Sequence, residues 1–430
     1  MSDRYRNSED MLRRAEKVIP LGSQTFSKSK TQYPFGVSPY FIARGRGSRV
    51  WDIDGNEYID FVSGLAAINL GHCDPNVTAA VREQLELGTI FSLPHELETI
   101  VAEKIVDMVP CADMVRFGKN GSDATSGAIR LARAFTRRDH VAVCGYHGWQ
   151  DWYIGSTARS LGVPQAVRDL THNFPYNDLS ALETLLKQHN GEFAAVIIEP
   201  MNAIEPAPGY LEGVKALAGR HGAVLVFDET ITGFRYANGG AQEWFGVTPD
   251  LATFGKGMAN GYPLSALAGR ADIMKLMEEI FFSFTFGGET LSLAAASATL
   301  DKLRREPVIA TVFQRGQNLL NRLRELIQKH GLGDLLVASG HPTWSFLVIR
   351  DTARYTKYEI NTLLLQEVFA RGILMIGAHN LNYAHSEQDI NRLLSVYDEV
   401  FAIVREALDD KRLLNHYLRC ETLIPLFKLR

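Results

Sequence analysis

The sequence predicts an α/β protein, with a large domain built on a mainly parallel sheet and a smaller α+β domain. Three observations predict it. Between about Val115 and Arg270, short apolar runs alternate with helix-like stretches. Several of those runs are almost continuously apolar over four to six residues, the pattern of strands buried on both faces. Beyond Val308 the pattern changes to long helical periodicity with isolated strands, which suits a separate, smaller layer.

Taken in order, Arg49-Val50-Trp51-Asp52 reads as a strand closed by an Asp54-Gly55-Asn56 turn, and this segment can pack with either domain. The expected strands of the large domain are Met114 to Phe117, Val141 to Cys144, Ala194 to Ile198, Ala223 to Phe227, Leu251 to Phe254 and Ser265 to Ala268. Asp178 to Leu186 is one of the intervening helices. Further on, Val308 to His330 has helical spacing (Val312, Leu319, Leu320, Leu323, Leu326), Trp344 to Val348 reads as a strand, and Lys357 to Arg371 as a helix. Ser386-Glu387-Gln388-Asp389 opens the last helix with an acidic capping pattern.

Composition narrows the class of function. The 430 residues are enough for two or three domains. A formal net charge of −4 gives no reason to expect nucleic acid or an anionic membrane as partner. Cys73, Cys111, Cys144 and Cys420 are scattered, without the spacing of a disulfide framework or a metal site. The N-terminal stretch is charged throughout and no apolar run approaches the roughly 20 residues of a membrane span, so a cytoplasmic soluble protein is expected.

Chemistry concentrates in the strand-to-helix turns. In Thr253-Phe254-Gly255-Lys256-Gly257 a lysine directly follows a buried strand. An unpaired buried ammonium costs several kcal/mol, on the order of a lost ion solvation, whereas an amine engaged as an imine does not. The same pentapeptide also fits a surface lysine in a glycine loop. The apolar strand Val224 to Phe227 ends in Asp228 and Glu229, and in a parallel sheet ligands gather at the carboxyl ends of strands. Asp228 can therefore share a crevice with Lys256, where a carboxylate would keep a pyridine nitrogen protonated. An acid after a strand is equally common in metal and nucleotide sites.

Gly118-Lys119-Asn120-Gly121-Ser122-Asp123 leads from a strand into a helix. Gly121 and Ser122 can present backbone N–H groups and a hydroxyl to a phosphate at that helix N-terminus, or Ser122 can simply cap its own helix. The loop is neither a Walker A nor a GxGxxG pattern. After the next strand, Tyr146 can stack on an aromatic cofactor with His147 alongside, or both can be core aromatics.

Together these residues resemble a class III aminotransferase of the fold-type-I pyridoxal phosphate enzymes, most of all the glutamate-1-semialdehyde aminomutase branch. The resemblance runs from about Ile19 to Ala407. It includes Arg49 to Asp60, Leu70-Gly71-His72, Ile198-Glu199-Pro200, Asp228 to Arg235 and Phe284 to Gly288. It implies a seven-stranded-type sheet sandwiched by helices at 50–300, with a small domain formed from 1–49 and 301–430. It implies pyridoxal 5'-phosphate as a Schiff base on Lys256, Asp228 on its ring nitrogen, Glu199 beside it, and Ile231 among the cofactor contacts. A homodimer is implied as well, with Thr285 crossing to the neighbour's phosphate.

Two positions depart from that branch. Lys28 stands where the aminomutases carry a carboxylate-gripping arginine, and lysine lacks the planar two-pronged fork. Where they carry a gating glutamate, Ile376 to Tyr383 has no carboxylate but offers His379, Asn380 and Asn382. The expectation is an aminotransferase with glutamate as donor and a polar, sugar-like aldehyde or ketone as acceptor, with Lys28, His379 and Asn380 as substrate contacts. The rivals are the aminomutase itself, a decarboxylase or racemase on the same fold, and a cofactor-free binding protein.

Overall fold

The computed structural model describes residues 3–424. They divide into two units, one formed by the chain up to Asp74 and again from Ala310, the other by Pro75–Ile309. The first unit opens with strands β1 (Ile42–Arg46), β2 (Arg49–Asp52) and β3 (Glu57–Asp60). The second contains β4 (Met114–Gly118), β5 (His140–Cys144), β6 (Thr171–Asn173), β7 (Phe193–Ile198), β8 (Val224–Asp228), β9 (Leu251–Phe254) and β10 (Ser265–Gly269). The chain then returns to the first unit for β11 (Leu336–His341), β12 (Trp344–Ile349), β13 (Ile373–Leu374) and β14 (Ala378–Asn380).

The large unit is one seven-stranded sheet in the order β4-β10-β9-β8-β7-β5-β6. Strands β6, β5, β7, β8 and β9 run parallel, and β10 is antiparallel to both of its neighbours. The continuous apolar runs are explained by cover on both faces. Along β5, β7 and β8 alternate residues enter two separate cores. Ala142, Val196, Ile198, Leu225 and Phe227 meet the helices Leu179–Gln188 and Tyr210–Arg220 on one face. Val141, Val143, Ala195, Ile197, Val224 and Val226 meet the helix Gly121–Thr136 on the other. Every residue of β7 is buried. At roughly 1.5–3 kcal/mol for each fully buried aliphatic side chain, these two cores are what positions the strand ends.

The small unit carries a four-stranded sheet, β1-β2-β3-β13, and a three-stranded sheet, β11-β12-β14. Its long helices Val308–Lys329, Lys357–Ala370 and Glu387–Asp410 correspond to the predicted periodicities, and Ser386 with Asp389 closes a capping box. The division differs from the expected boundaries. Residues 50–74 belong to the small unit because β3 pairs in parallel with β13 and Arg49 forms an ion pair with Asp389. Among the described residues no helix is long and apolar enough to cross a membrane.

Candidate active site

Because β10 is antiparallel to both β9 and β4, the carboxyl end of β4 falls on the same edge of the sheet as those of β5, β7, β8 and β9. The register aligns Cys144 with Ile198, Ile198 with Phe227, and Asp228 with Thr253. The residues that follow, Gly145 to His147, Glu199, Asp228 and Gly255-Lys256, thus form a row along one edge, the place where parallel sheets bind ligands.

Asp228 is buried and accepts four hydrogen bonds. His147 Nδ1 lies 2.9 Å from one oxygen. The other accepts from the Thr230 hydroxyl at 2.6 Å, the Thr230 N–H at 3.1 Å and the Thr253 hydroxyl at 3.2 Å. Burial opposes its ionisation, yet the hydrogen bond and attraction of the His147 ring, followed by Thr230, outweigh it and hold the carboxyl below its usual range. Glu229, its neighbour, is a structural acid. It points the other way, accepting from Thr232 and from the N–H groups of Ala241 and Gln242, and burial pushes its carboxyl up.

Thr230 is the residue that draws the separate loops together. A Cβ built on Gly121 would sit 3.0 Å from Thr230 Cγ2, and one on Gly255 would sit 3.4 Å from the same methyl. The phosphate-loop candidate, the residue before Lys256 and Asp228 are therefore packed around one threonine. Lys256 itself has φ of +42°, in the left-handed region that costs a non-glycine residue about 1–3 kcal/mol. It opens a tight turn, Lys256–Ala259, and its side chain is half-buried.

The turn before the helix Gly121–Thr136 is capped by Asn120 and Asp123 in a capping box, so Ser122 is not the cap. Its hydroxyl instead accepts from the Trp149 N–H at 3.3 Å, and Thr125 donates to the His147 carbonyl at 2.8 Å. Gly148 makes this approach possible: at φ +110° its Cβ would collide with Ser122. Tyr146 donates its N–H to Glu199 at 2.9 Å and its ring meets Tyr153 edge-on. His147 stacks against Trp152, and its Nε2 is buried without a hydrogen bond. Ile231 is half-buried three residues beyond Asp228, and Thr285 is exposed.

The two substrate candidates near the C-terminal end of the chain require correction. His379 is wholly buried inside the small unit, with Nδ1 3.0 Å from the Ser345 hydroxyl and Nε2 2.6 Å from the Tyr397 hydroxyl. Burial, and then the neighbouring His385, depress its pKa to about 3. Asn380 is likewise buried, donating to the Val62 carbonyl at 2.7 Å. Both brace the small-unit core, and His379 has no nitrogen left for a substrate hydroxyl. Lys28 is exposed in the turn Phe26–Lys28 of that unit. The contributions of Thr230, Thr253 and Gly148 were not assigned from sequence. The position of Thr230, two residues after the key acid, and the Gly145/Gly148 spacing are the signals that carry them.

The donor set fits pyridoxal phosphate. A buried carboxylate is held ionised, as a pyridinium nitrogen requires, and a glycine-lined turn lies at the N-terminus of a 16-residue helix, where a phosphate is favoured. Lys256, which follows Gly255 in the turn packed on Thr230, supplies an amine. A seven-stranded, mainly parallel sheet with this constellation on its carboxyl edge defines a fold-type-I pyridoxal phosphate enzyme.

Residues 32–379 match the family model described as aminotransferase class-III, and the chain belongs to that family. Over 411 residues it is 33% identical to a 3-aminobutyryl-CoA aminotransferase of Cloacimonas acidaminovorans, covering 93% of this chain and 98% of that protein. It is 35% identical over 421 residues to a glutamate-1-semialdehyde 2,1-aminomutase of Methanosarcina acetivorans, covering 90% and 99%. Among solved structures, the PLP internal aldimine form of the FumI protein of Sphingopyxis sp. MTA144 superposes with a TM-score of 0.87 at 31% identity, over 94% of this chain and 97% of that one. The protein is a pyridoxal phosphate-dependent aminotransferase.

Proposed function

We propose that the chain transfers an amino group from glutamate to a polar aldehyde or ketone in a ping-pong sequence, acting as a homodimer. The observation that supports this best is the buried, ionised Asp228 at the end of β8, packed through Thr230 against both the Gly121 turn and the Gly255-Lys256 turn. Pyridoxal phosphate supplies an electron sink for the carbon that loses its proton. Asp228 holds the ring nitrogen, with His147 and Thr230 keeping that carboxylate charged. Gly121 and Ser122 hold the phosphate. Tyr146 and Ile231 flank the ring, and Glu199 fixes Tyr146 through its backbone N–H. Lys256 would hold the cofactor covalently and, once an incoming amine displaces it, its free amine would move the substrate proton as general base and acid.

The acceptor reading now rests on Lys28 and on the lack of any carboxylate in residues 376–383, since His379 and Asn380 are withdrawn as contacts. A second reading, glutamate-1-semialdehyde aminomutase, is favoured by the name of a 35% identical relative. One experiment separates them. Holoenzyme mixed with glutamate and no acceptor is expected to release one equivalent of 2-oxoglutarate per site and stop, and Lys256→Ala to release none. Absence of the burst, together with steady conversion of glutamate-1-semialdehyde to 5-aminolevulinate, would establish the aminomutase instead. Normal turnover by Lys256→Ala would overturn the assignment of that lysine.

A further inference from the structure

At the far edge of the large sheet, three histidines that are distant in sequence meet on one aromatic floor. His140 begins β5, His172 is the middle residue of β6, and His189 follows the helix Leu179–Gln188. Their rings stack in a group: His140 to His172 at 5.0 Å, His140 to His189 at 4.8 Å and His172 to His189 at 4.9 Å between centroids. All three meet the Phe193 ring at centroid distances of 5.5 to 6.0 Å. Glu192 faces two of them. A Glu192 oxygen lies 3.1 Å from His189 Nδ1 and 3.6 Å from His140 Nε2. His140 sits at the amino end of β5, whereas Tyr146 and His147 follow its carboxyl end, so the cluster lies apart from the aminotransferase site.

We propose that His140, His189 and Glu192 form a binding site for a divalent transition metal of the zinc class, oriented by His172. One donor atom from each of the three ligands lies within 4.8 Å of the others. A tetrahedral zinc centre requires donors about 3.3 Å apart, given metal–ligand distances near 2.0–2.1 Å. The closure would come from the outer ligands, whose side chains are 36% (His189) and 55% (Glu192) exposed. Two nitrogens, one oxygen and a water complete four-coordination, the donor set that suits zinc and its neighbours rather than calcium or magnesium.

His172 is what makes this a site rather than a chance gathering of rings. Its Nε2 lies 2.7 Å from His140 Nδ1. In the tautomer in which His140 Nδ1 donates across this contact, its Nε2 lone pair is left facing Glu192, 3.6 Å away. Metal-binding histidines are held in this way, with the second nitrogen donating to a fixed acceptor. The metal would clip the start of β5 to the segment entering β7.

The test uses the full-length, tag-free holoenzyme, equilibrated with zinc chloride and then dialysed against metal-free buffer. Mass-spectrometric metal analysis is expected to find one zinc per chain, and zinc to raise the thermal unfolding midpoint. His189→Ala and Glu192→Ala, both at exposed side chains, are expected to abolish both effects. His172→Ala is expected to weaken zinc binding tenfold or more, as loss of an orienting partner does. No retained zinc in the parent protein, or undiminished zinc in His189→Ala and Glu192→Ala, would overturn the proposal.

Discussion

At the scale of single residues, the candidate site is organised by Thr230. Thr230 donates twice to Asp228, and its methyl packs against Gly121 and Gly255. Thr230→Val keeps the shape and deletes the hydroxyl, so the Asp228 pKa should rise. The sign of the stability effect follows from the depressed folded pKa. Asp228 contributes stability above its unfolded pKa of roughly 3.9, and loses it as pH falls through the lower folded value. At neutral pH the variant should be less stable by about 1.5–3 kcal/mol, the range for a hydrogen bond to a charged group. That difference should vanish on acidification through the same window. Denaturant unfolding of the apoprotein at pH 7 and in acid measures it, and an equal deficit at both would refute the role. Lys256, Asp228, Gly121, Ser122 and His147 could be nominated from the sequence because each follows a recognisable strand. His379 and Asn380 were misread because counting along a chain cannot reveal that both nitrogens of a histidine are already satisfied by Ser345 and Tyr397.

At the scale of elements, strands buried on both faces were legible and thin ones were not. The six apolar runs of the large sheet became strands within a residue or two at their ends. Strand β6, Thr171–Asn173, is three residues long with polar side chains and occupies the sheet edge, so no periodicity announces it. Strands β13 and β14 are two and three residues long, below what an alternation pattern resolves. The helix Gly121–Thr136 was anticipated, but its cap was not. Asn120 and Asp123 cap the helix reciprocally, and the Ser122 hydroxyl accepts from Trp149 N–H instead. Asn120→Ala should cost about 1 kcal/mol locally, equivalent to roughly fivefold faster amide exchange in the first turn. Hydrogen-exchange mass spectrometry of the peptide spanning that turn reads this directly. Unchanged protection would mean that packing against the sheet, rather than the cap, holds the turn in place.

At the scale of the whole molecule, the large unit carries apolar surface that a monomer does not need. Phe281 and Leu93 are each 79% exposed, and Phe286 and Phe91 about half exposed. Two of these flank Thr285 in the segment Phe281–Phe286, and Thr290 anchors the end of that segment to Gly88 and Thr89. Beside them an open hollow of about 980 Å³ is lined by Pro94, Glu98, Val106, Met114, Phe282 and Phe284. Exposed apolar groups gathered around a hollow mark an interaction face, and the exposed Thr285 hydroxyl within it is the group expected to reach the second copy's phosphate. Replacing Phe286, 57% exposed, by glutamate places a charge on that face without disturbing the buried sheet. The parent chain should sediment as a dimer, and Phe286→Glu as a monomer whose cofactor is retained at least tenfold more weakly, because each site has lost its neighbour's threonine. Thr285→Ala separates the two effects: it should remain dimeric and still lose affinity for the cofactor. A dimer unchanged by Phe286→Glu, or a Thr285→Ala chain that binds pyridoxal phosphate as tightly as the parent, would show that this face does not complete the site.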